Sequence, residues 1–305
     1  MDGMRPRRPA LAAAVRVPVL LAALCSVALT GCTGSAGTPA AAPSSTPAAR
    51  SASPGAIPRP DHIVIVVEEN KSFDDVMGRS DAPYINSLAA GGALFTQATG
   101  VAHPSEPNYL ALFSGSTQGV TDDSCPHSFG ADSLGSQLIK AGMTFGGFAE
   151  SLPSTGYQGC SSGDYARKHA PWTDFPAVPA SSSQPFSAFP HDFATLPTVS
   201  IVVPNLANDM HNGSVSQGDT WLRDNLDAYA KWARTHNSLL IVTWDEDDSH
   251  FQNHIATIFS GEHVTAGKYS EPIDHYRLLA TVEAAEGLPL LAQAAATEPV
   301  TDVWH

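Results

Sequence analysis

Apolar residues along this chain gather into short β-branched runs, and each run is closed by a polar cluster. His62-Ile63-Val64-Ile65-Val66-Val67 stops at Glu68-Glu69-Asn70. Thr198 to Pro204 is followed by Asp209-Met210-His211-Asn212, and Ser238 to Trp244 runs straight into Asp245-Glu246-Asp247-Asp248. A run that is apolar on both faces is the pattern of a central strand in a parallel sheet. Helical patterns alternate with these runs. Residues 81–97 read as a short helix, a Gly-Gly break and a strand, and residues 134–149 as another helix-then-strand pair. Pro107 to Leu112 begins a helix running towards Ser114-Gly115, Trp221 to Arg234 is amphipathic, His254 to Phe259 is a strand, and Tyr276 to Glu286 is a late helix. The alternation predicts an α/β fold with a mostly parallel central sheet and helices on both faces. Residues 152–195, rich in Pro, Ser, Gly and aromatics, show no period and read as a long irregular insertion covering the site.

In open α/β sheets the ligand site lies outside the carboxyl ends of the strands. The three polar clusters would therefore deliver carboxylates, an amide and an imidazole to one rim. Oxygen and nitrogen ligands without thiolates suit a hard or borderline divalent cation such as Mg, Ca, Mn or Zn. A second feature is His103-Pro104-Ser105-Glu106-Pro107-Asn108-Tyr109. Pro107 fits the first turn of a helix, where its missing N–H costs nothing. Ser105 then stands just before a helix N-terminus, where free N–H groups favour an anion. Spacing alone equally suits a plain N-cap serine. His127, His169 and His191 fall in irregular chain and read as surface or loop residues. Trp221 and Trp232 read as helix packing, and Asp247 and Asp248 either as acids that back the site's ligands or as solvated loop acids.

The first 32 residues change the picture of where the protein works. Arg5, Arg7, Arg8 and Arg16 precede a short apolar stretch, residues 17–30, which is brief for a membrane span. Leu29-Thr30-Gly31-Cys32 is similar to a bacterial lipoprotein box, with Cys32 as the lipidated residue after cleavage; an ordinary signal peptide is the alternative. Residues 33–58, nearly all Ala, Ser, Thr, Pro and Gly, have little to bury and are expected to form a tether to a domain over residues 59–305. The protein is thus expected to be exported, meeting the membrane through the lipid alone. Four cysteines include Cys25 in the signal and Cys32. The remaining pair, Cys125 and Cys160, predicts a disulfide in an oxidising compartment, with two free thiols as the alternative.

The chain has 305 residues with 16 Lys+Arg against 30 Asp+Glu, a net charge of −14, and 12 His. That balance argues against a nucleic-acid partner, which would need a basic footprint. It also means that an anionic substrate needs a local cation or a nest of backbone N–H groups.

Several ordered motifs carry a family likeness. HIVIVVEENKSFDDVMG resembles the opening of the bacterial phosphoesterase family of acid phosphatases and phospholipases C, within the alkaline-phosphatase-like superfamily. SEPNYLALFSG resembles that superfamily's nucleophile segment, and PNLANDMHNGSVSQGDTWL, VTWDEDD, NHIATIFSGEHV and IDHYRLLATVEAAEGLP match the family in order. The likeness spans roughly residues 60–291. It implies that Glu69, Asn70, Asp245 and Glu246 hold a metal, with Ser105 as further ligand and nucleophile, and that Asn108 steadies a phosphoryl oxygen. Asp209, His211 and His254 match positions that bind a second metal or act on the leaving group; Asp219 either joins them or caps the helix at Trp221. Two departures leave one metal as plausible as two. Asp245-Glu246 stands where two-zinc members have Asp-His, and the middle motif is Asp-x-His rather than Asp-x-x-x-His.

The implied activity is metal-dependent hydrolysis of small phosphate monoesters through a phosphorylated Ser105, with His211 or His254 protonating the leaving alcohol. A phospholipase C or other phosphodiesterase is the alternative within enzymes, and a ligand- or metal-binding lipoprotein without turnover is the alternative outside them. A sulfatase is disfavoured, because no Cys/Ser-x-Pro-x-Arg segment is present. Oligomeric state is not readable from the sequence.

Overall fold

The structure, a computed structural model, describes residues 56–305. The signal segment, Cys32 and residues 33–55 of the expected tether lie outside the described residues. In chain order the larger elements are β1 (His62–Glu68), α1 (Phe73–Val76), α2 (Pro83–Ala90), β2 (Ala93–Thr99), α3 (Ser105–Ser114), α4 (Leu134–Lys140) and β3 (Phe145–Ala149). A small hairpin, β4 (Ser161–Ser162) and β5 (Tyr165–Ala166), leads into short 3-10 turns and β6 (Ser183–Pro185). The rest is β7 (Val199–Val203), α5 (Val215–Ala233), β8 (Ser238–Trp244), β9 (His254–Gly261), β10 (Gly267–Tyr269), β11 (Ile273–Asp274) and α6 (His275–Glu286).

Nine of these strands make one sheet in the order β10-β2-β9-β8-β1-β7-β3-β6, with β11 also paired to β2, while β4 and β5 pair only with each other. β1 lies between two parallel neighbours, so that Ile65 pairs with Ile201 on one side and Ile241 on the other. Ile63 to Val67 are all buried, each aliphatic side chain contributing about 1.5–3 kcal/mol by leaving water. The run could only be apolar on both faces because helices cover both. β9 runs antiparallel to β8 and β2, so the sheet is mixed but mostly parallel, as the sequence pattern predicts.

Two features of the packing position the site. Gly147 of β3 leaves room for the Trp172 indole: a Cβ there would lie 2.2 Å from the ring. Trp172 is buried and its Nε1 donates to Ser183 Oγ at 3.0 Å, which seats the 152–195 insertion on the sheet. That insertion folds as 3-10 turns and short strands, consistent with its lack of period. The Cys125–Cys160 disulfide is formed, with the two Cα atoms 5.9 Å apart.

The second feature is the support under α3. Gly115, at φ 68°, ends that helix in the left-handed region that glycine tolerates best. Its carbonyl accepts from Gln293 N at 2.9 Å. Leu291 N in turn donates to Glu283 Oε2 of α6 at 3.1 Å, and Glu283 Oε1 is buried without a partner among the described residues. Burial pushes the Glu283 carboxyl up to about 8. A carboxyl raised on folding stabilises the fold most below its unfolded pKa, and that contribution is lost as pH climbs through the folded value. Replacing it with an amide removes the titration. The melting temperature of Glu283→Gln relative to the parent is therefore expected to rise between about pH 5 and about pH 9. A difference that stays flat across that window would contradict the buried acid.

α5 starts earlier than the amphipathic pattern indicates. Ser214 caps it, accepting from Gln217 N at 3.2 Å, and the polar run Ser216-Gln217 with Gly218 hides the first turn from a hydrophobic reading. Among the described residues, no helix is long and apolar enough to cross a membrane.

Candidate active site

At the carboxyl end of β1 the chain turns at Asn70, a non-glycine residue at φ 50°. The turn is held from both sides. Glu69 N donates to the Asp209 carbonyl at 2.7 Å, and Asn70 N donates to Asp245 Oδ1 at 3.2 Å. The segments after β1, β7 and β8 are thereby laced into one rim, as strand-end logic predicts. Asn70 Nδ2 donates to Glu69 Oε2 at 2.8 Å, which leaves its amide oxygen free of that bond.

Ser105 is the first residue of α3, one position inside the helix, with Pro104 as the N-cap. Its Oγ lies 3.2 Å from Glu69 Oε2 and 3.1 Å from Glu246 Oε1. The hydroxyl therefore touches carboxylates from both ends of the domain and is not an N-cap. Tyr109, one turn along, donates its OH to Glu69 Oε1 at 2.6 Å. Glu69, Ser105, Asp209, Asp245 and Glu246 are all buried.

Buried like charges so close together are costly, and the proton affinities record it. Burial, with Glu69 and Glu246 facing it, pushes the Asp245 carboxyl well above its ordinary range. Burial and Glu69 likewise raise Glu246, partly offset by His103. Burial raises Asp209. Burial also opposes the charge of Glu69, but His169, then Tyr109 and His211, hold its pKa below the usual value. His169 is pushed up to about 9: burial works against its charge, and the nearby charges of Glu69 and Asp209 outweigh that.

His169 is the main departure from the sequence reading. It is buried, with Nε2 2.9 Å from Glu69 Oε1 and Nδ1 3.3 Å from Asp209 Oδ2. Its ring stacks on Tyr109, centroids 5.1 Å apart. The loop assignment fails because the Trp172 anchor folds the irregular insertion back over the rim. Glu69, His169 and His211 bring donor atoms within 4.8 Å of one another. His103 was also missed. Its Nδ1 makes a close contact with Glu246 Oε2, and its Nε2 lies 3.3 Å from Asp247 Oδ1. The spacing of two residues before Ser105 was the available signal.

Three expected site residues stand elsewhere. Asn108 spends its side chain on the loop beside it: its Oδ1 accepts from Val101 N and Ala102 N, and its Nδ2 donates to the Ala102 carbonyl. It shapes the loop that leads into Ser105. Asp219 lies inside α5 and accepts from Tyr84 N and Ile85 N, so it caps α2 rather than its own helix. His254 has Nε2 3.1 Å from the Thr96 carbonyl, and its ring stacks on Phe73. His211 does join the cluster, its N donating to Asp209 Oδ1 at 2.8 Å. Asp247 is buried and accepts from Ser249 N and Phe251 N, holding the loop after β8.

The donor set fits a divalent cation. Four buried carboxylates converge, and Asp209 Oδ2, Asp245 Oδ2 and His169 Nε2 have no aligned hydrogen-bond partner among the described residues. Residues 78–289 match the model of the phosphoesterase family. The chain belongs to that family. It is 55% identical, over 82% of its length and 84% of the relative's, to a phosphatidylinositol-3-phosphatase of Mycobacterium tuberculosis. An acid phosphatase of Aspergillus fumigatus is 28% identical over 74% of this chain, which spans only 54% of that longer protein. In fold it is similar to an alkaline phosphatase superfamily protein from Vibrio parahaemolyticus, with TM-score 0.58 and 13% identity over 79% of this chain and 71% of that one. As a phosphoesterase family member it is a hydrolase of phosphoric ester bonds.

Proposed function

We propose that this phosphoesterase is a metal-dependent phosphomonoesterase that works through a phosphoserine at Ser105. The observation that carries the reading is the pair of contacts from Ser105 Oγ, 3.2 Å to Glu69 and 3.1 Å to Glu246, made from the first residue of a helix. Glu69, Asn70, Asp245 and Glu246, with Ser105, would hold one cation; Glu69, His169 and His211, beside Asp209, would hold a second. Such a cation supplies positive charge that favours the serine alkoxide and offsets charge on the phosphoryl group.

The chain's own residues do the rest. A serine hydroxyl needs activation, and Glu246, steadied by His103, is placed to take its proton. The positive end of the α3 dipole, at Ser105, favours the phosphoryl anion against a strongly acidic surround. His211, half-buried and beside Glu69 and His169, is the candidate to protonate the leaving alcohol. Water then cleaves the phosphoserine. Positioning and electrostatics carry most of such a reaction.

For substrate, the 55% relative points to a phosphorylated inositol lipid, presented at a membrane. A Cys32-anchored, exported protein would meet such a lipid with its domain on a tether. Phosphate release from p-nitrophenyl phosphate and from vesicles containing phosphatidylinositol 3-phosphate is expected. Bis(p-nitrophenyl) phosphate and phosphatidylcholine are expected to react at least about tenfold more slowly. Faster release of phosphocholine from phosphatidylcholine would replace this reading with a phospholipase C.

A further inference from the structure

Lys168 occupies a position that neither the family likeness nor the metal cluster accounts for. Its Nζ donates to Asp123 Oδ2 at 2.7 Å, and the other oxygen of Asp123 accepts from Glu106 N at 3.0 Å. Glu106 follows Ser105, so one carboxylate ties the lysine to the first turn of the nucleophile's helix. The next residue after the lysine, His169, is buried against Glu69. The residue before it, Arg167, is buried too. Arg167 donates to Asp174 Oδ1 at 2.8 Å and to the Gln158 carbonyl at 2.8 Å. The backbone at Lys168 is thus pinned on both sides while its side chain keeps 19% exposure.

Asp123 and Lys168 come from segments 45 residues apart. The Cys125–Cys160 disulfide joins those segments two residues after the aspartate and eight before the lysine. Lys71, the other lysine at the rim, is committed differently: its Nζ donates to the carbonyls of Asn70 and Met210.

We propose that Lys168, held by Asp123, contacts a non-bridging oxygen of the phosphoryl group transferred to Ser105, and so makes the site select phosphate monoesters over diesters. The inference rests on the reading of Ser105 as nucleophile. A monoester brings two negative charges to the site and a diester one. A compact ammonium beside the helix start therefore matters most for the oxygen that only the monoester leaves ionised. The disulfide's part is to hold the lysine's segment against the aspartate's.

The test uses Lys168→Met and Lys168→Arg, with kcat/KM measured on p-nitrophenyl phosphate and bis(p-nitrophenyl) phosphate, and inhibition by inorganic phosphate. Lys168→Met is expected to lower the monoester-to-diester ratio of kcat/KM about tenfold or more and to weaken phosphate inhibition by a similar factor, and Lys168→Arg to recover most of both. Should Lys168→Met fail to fold, Asp123→Asn keeps an acceptor for Glu106 N while unseating the ammonium, and should lower the ratio in the same direction. Equal losses on both substrates, or an unchanged ratio in whichever variant folds, would overturn the proposal. Failure of the Ser105 reading looks different, because Ser105→Ala would then keep near-parental activity on both esters whatever Lys168→Met does.

Discussion

Ser105→Ala is expected to cut turnover of a phosphate monoester by on the order of a thousandfold or more, the scale on which removing a nucleophile acts. The hydroxyl makes two contacts, to Glu69 and Glu246, and packs nothing else into place. Folding should therefore survive. α3 keeps its Pro104 N-cap and its Gly115 end, and Glu69 keeps Tyr109 and His169. Metal content should fall little, since Glu69, Asn70, Asp245 and Glu246 remain. Circular dichroism and metal analysis on the variant separate this outcome from simple unfolding. Activity within a few-fold of the parent, in a folded protein, would remove Ser105 from the reaction.

Stripping the metal is the second large effect. Chelation followed by dialysis should lower activity by at least about a hundredfold, and returning a divalent ion should restore it. The melting temperature should fall as well, because a bound cation stabilises the folded form by mass action and offsets charges that are otherwise buried close together. Burial and mutual repulsion already drive Asp245, Glu246 and Asp209 towards their neutral forms without a cation. Asp245→Asn removes one of these carboxylates while leaving Oδ1 to accept from Asn70 N. It should therefore weaken metal affinity more than it weakens the fold. Full activity in protein shown to be metal-free would contradict this directly.

What the sequence made legible follows from which residues answer to strand geometry. β1, β7 and β8 are read from apolar runs, and a parallel strand has to present its last residues at one edge of the sheet. Glu69, Asn70, Asp209, His211, Asp245 and Glu246 came together for that reason. Ser105 is legible only from two signals together: Pro107 marks a helix start, and SEPNYLALFSG resembles the superfamily's nucleophile segment. His169 was not, because nothing periodic governs residues 152–195. Its burial depends on Trp172 docking against Gly147, a contact between distant segments that leaves no local pattern. Asn108 and Asp219 share a feature that spacing hides. Both are polar residues whose capacity goes to backbone N–H groups, at the loop before Ser105 and at the start of α2. A motif shows residue type and spacing, and it cannot show whether an amide or a carboxylate is already occupied by the chain around it.

The most direct measurement of the central claim is chemical. Protein turning over p-nitrophenyl phosphate is quenched in acid, digested and examined by mass spectrometry for a phosphate on the peptide that carries Ser105. A phosphoserine at that residue, lost when the substrate is exhausted and absent from Ser105→Ala, is the expected result. An active enzyme that never carries phosphate there, under conditions that trap other phosphoserines, would mean that water attacks the ester directly and that the hydroxyl between Glu69 and Glu246 serves some other purpose.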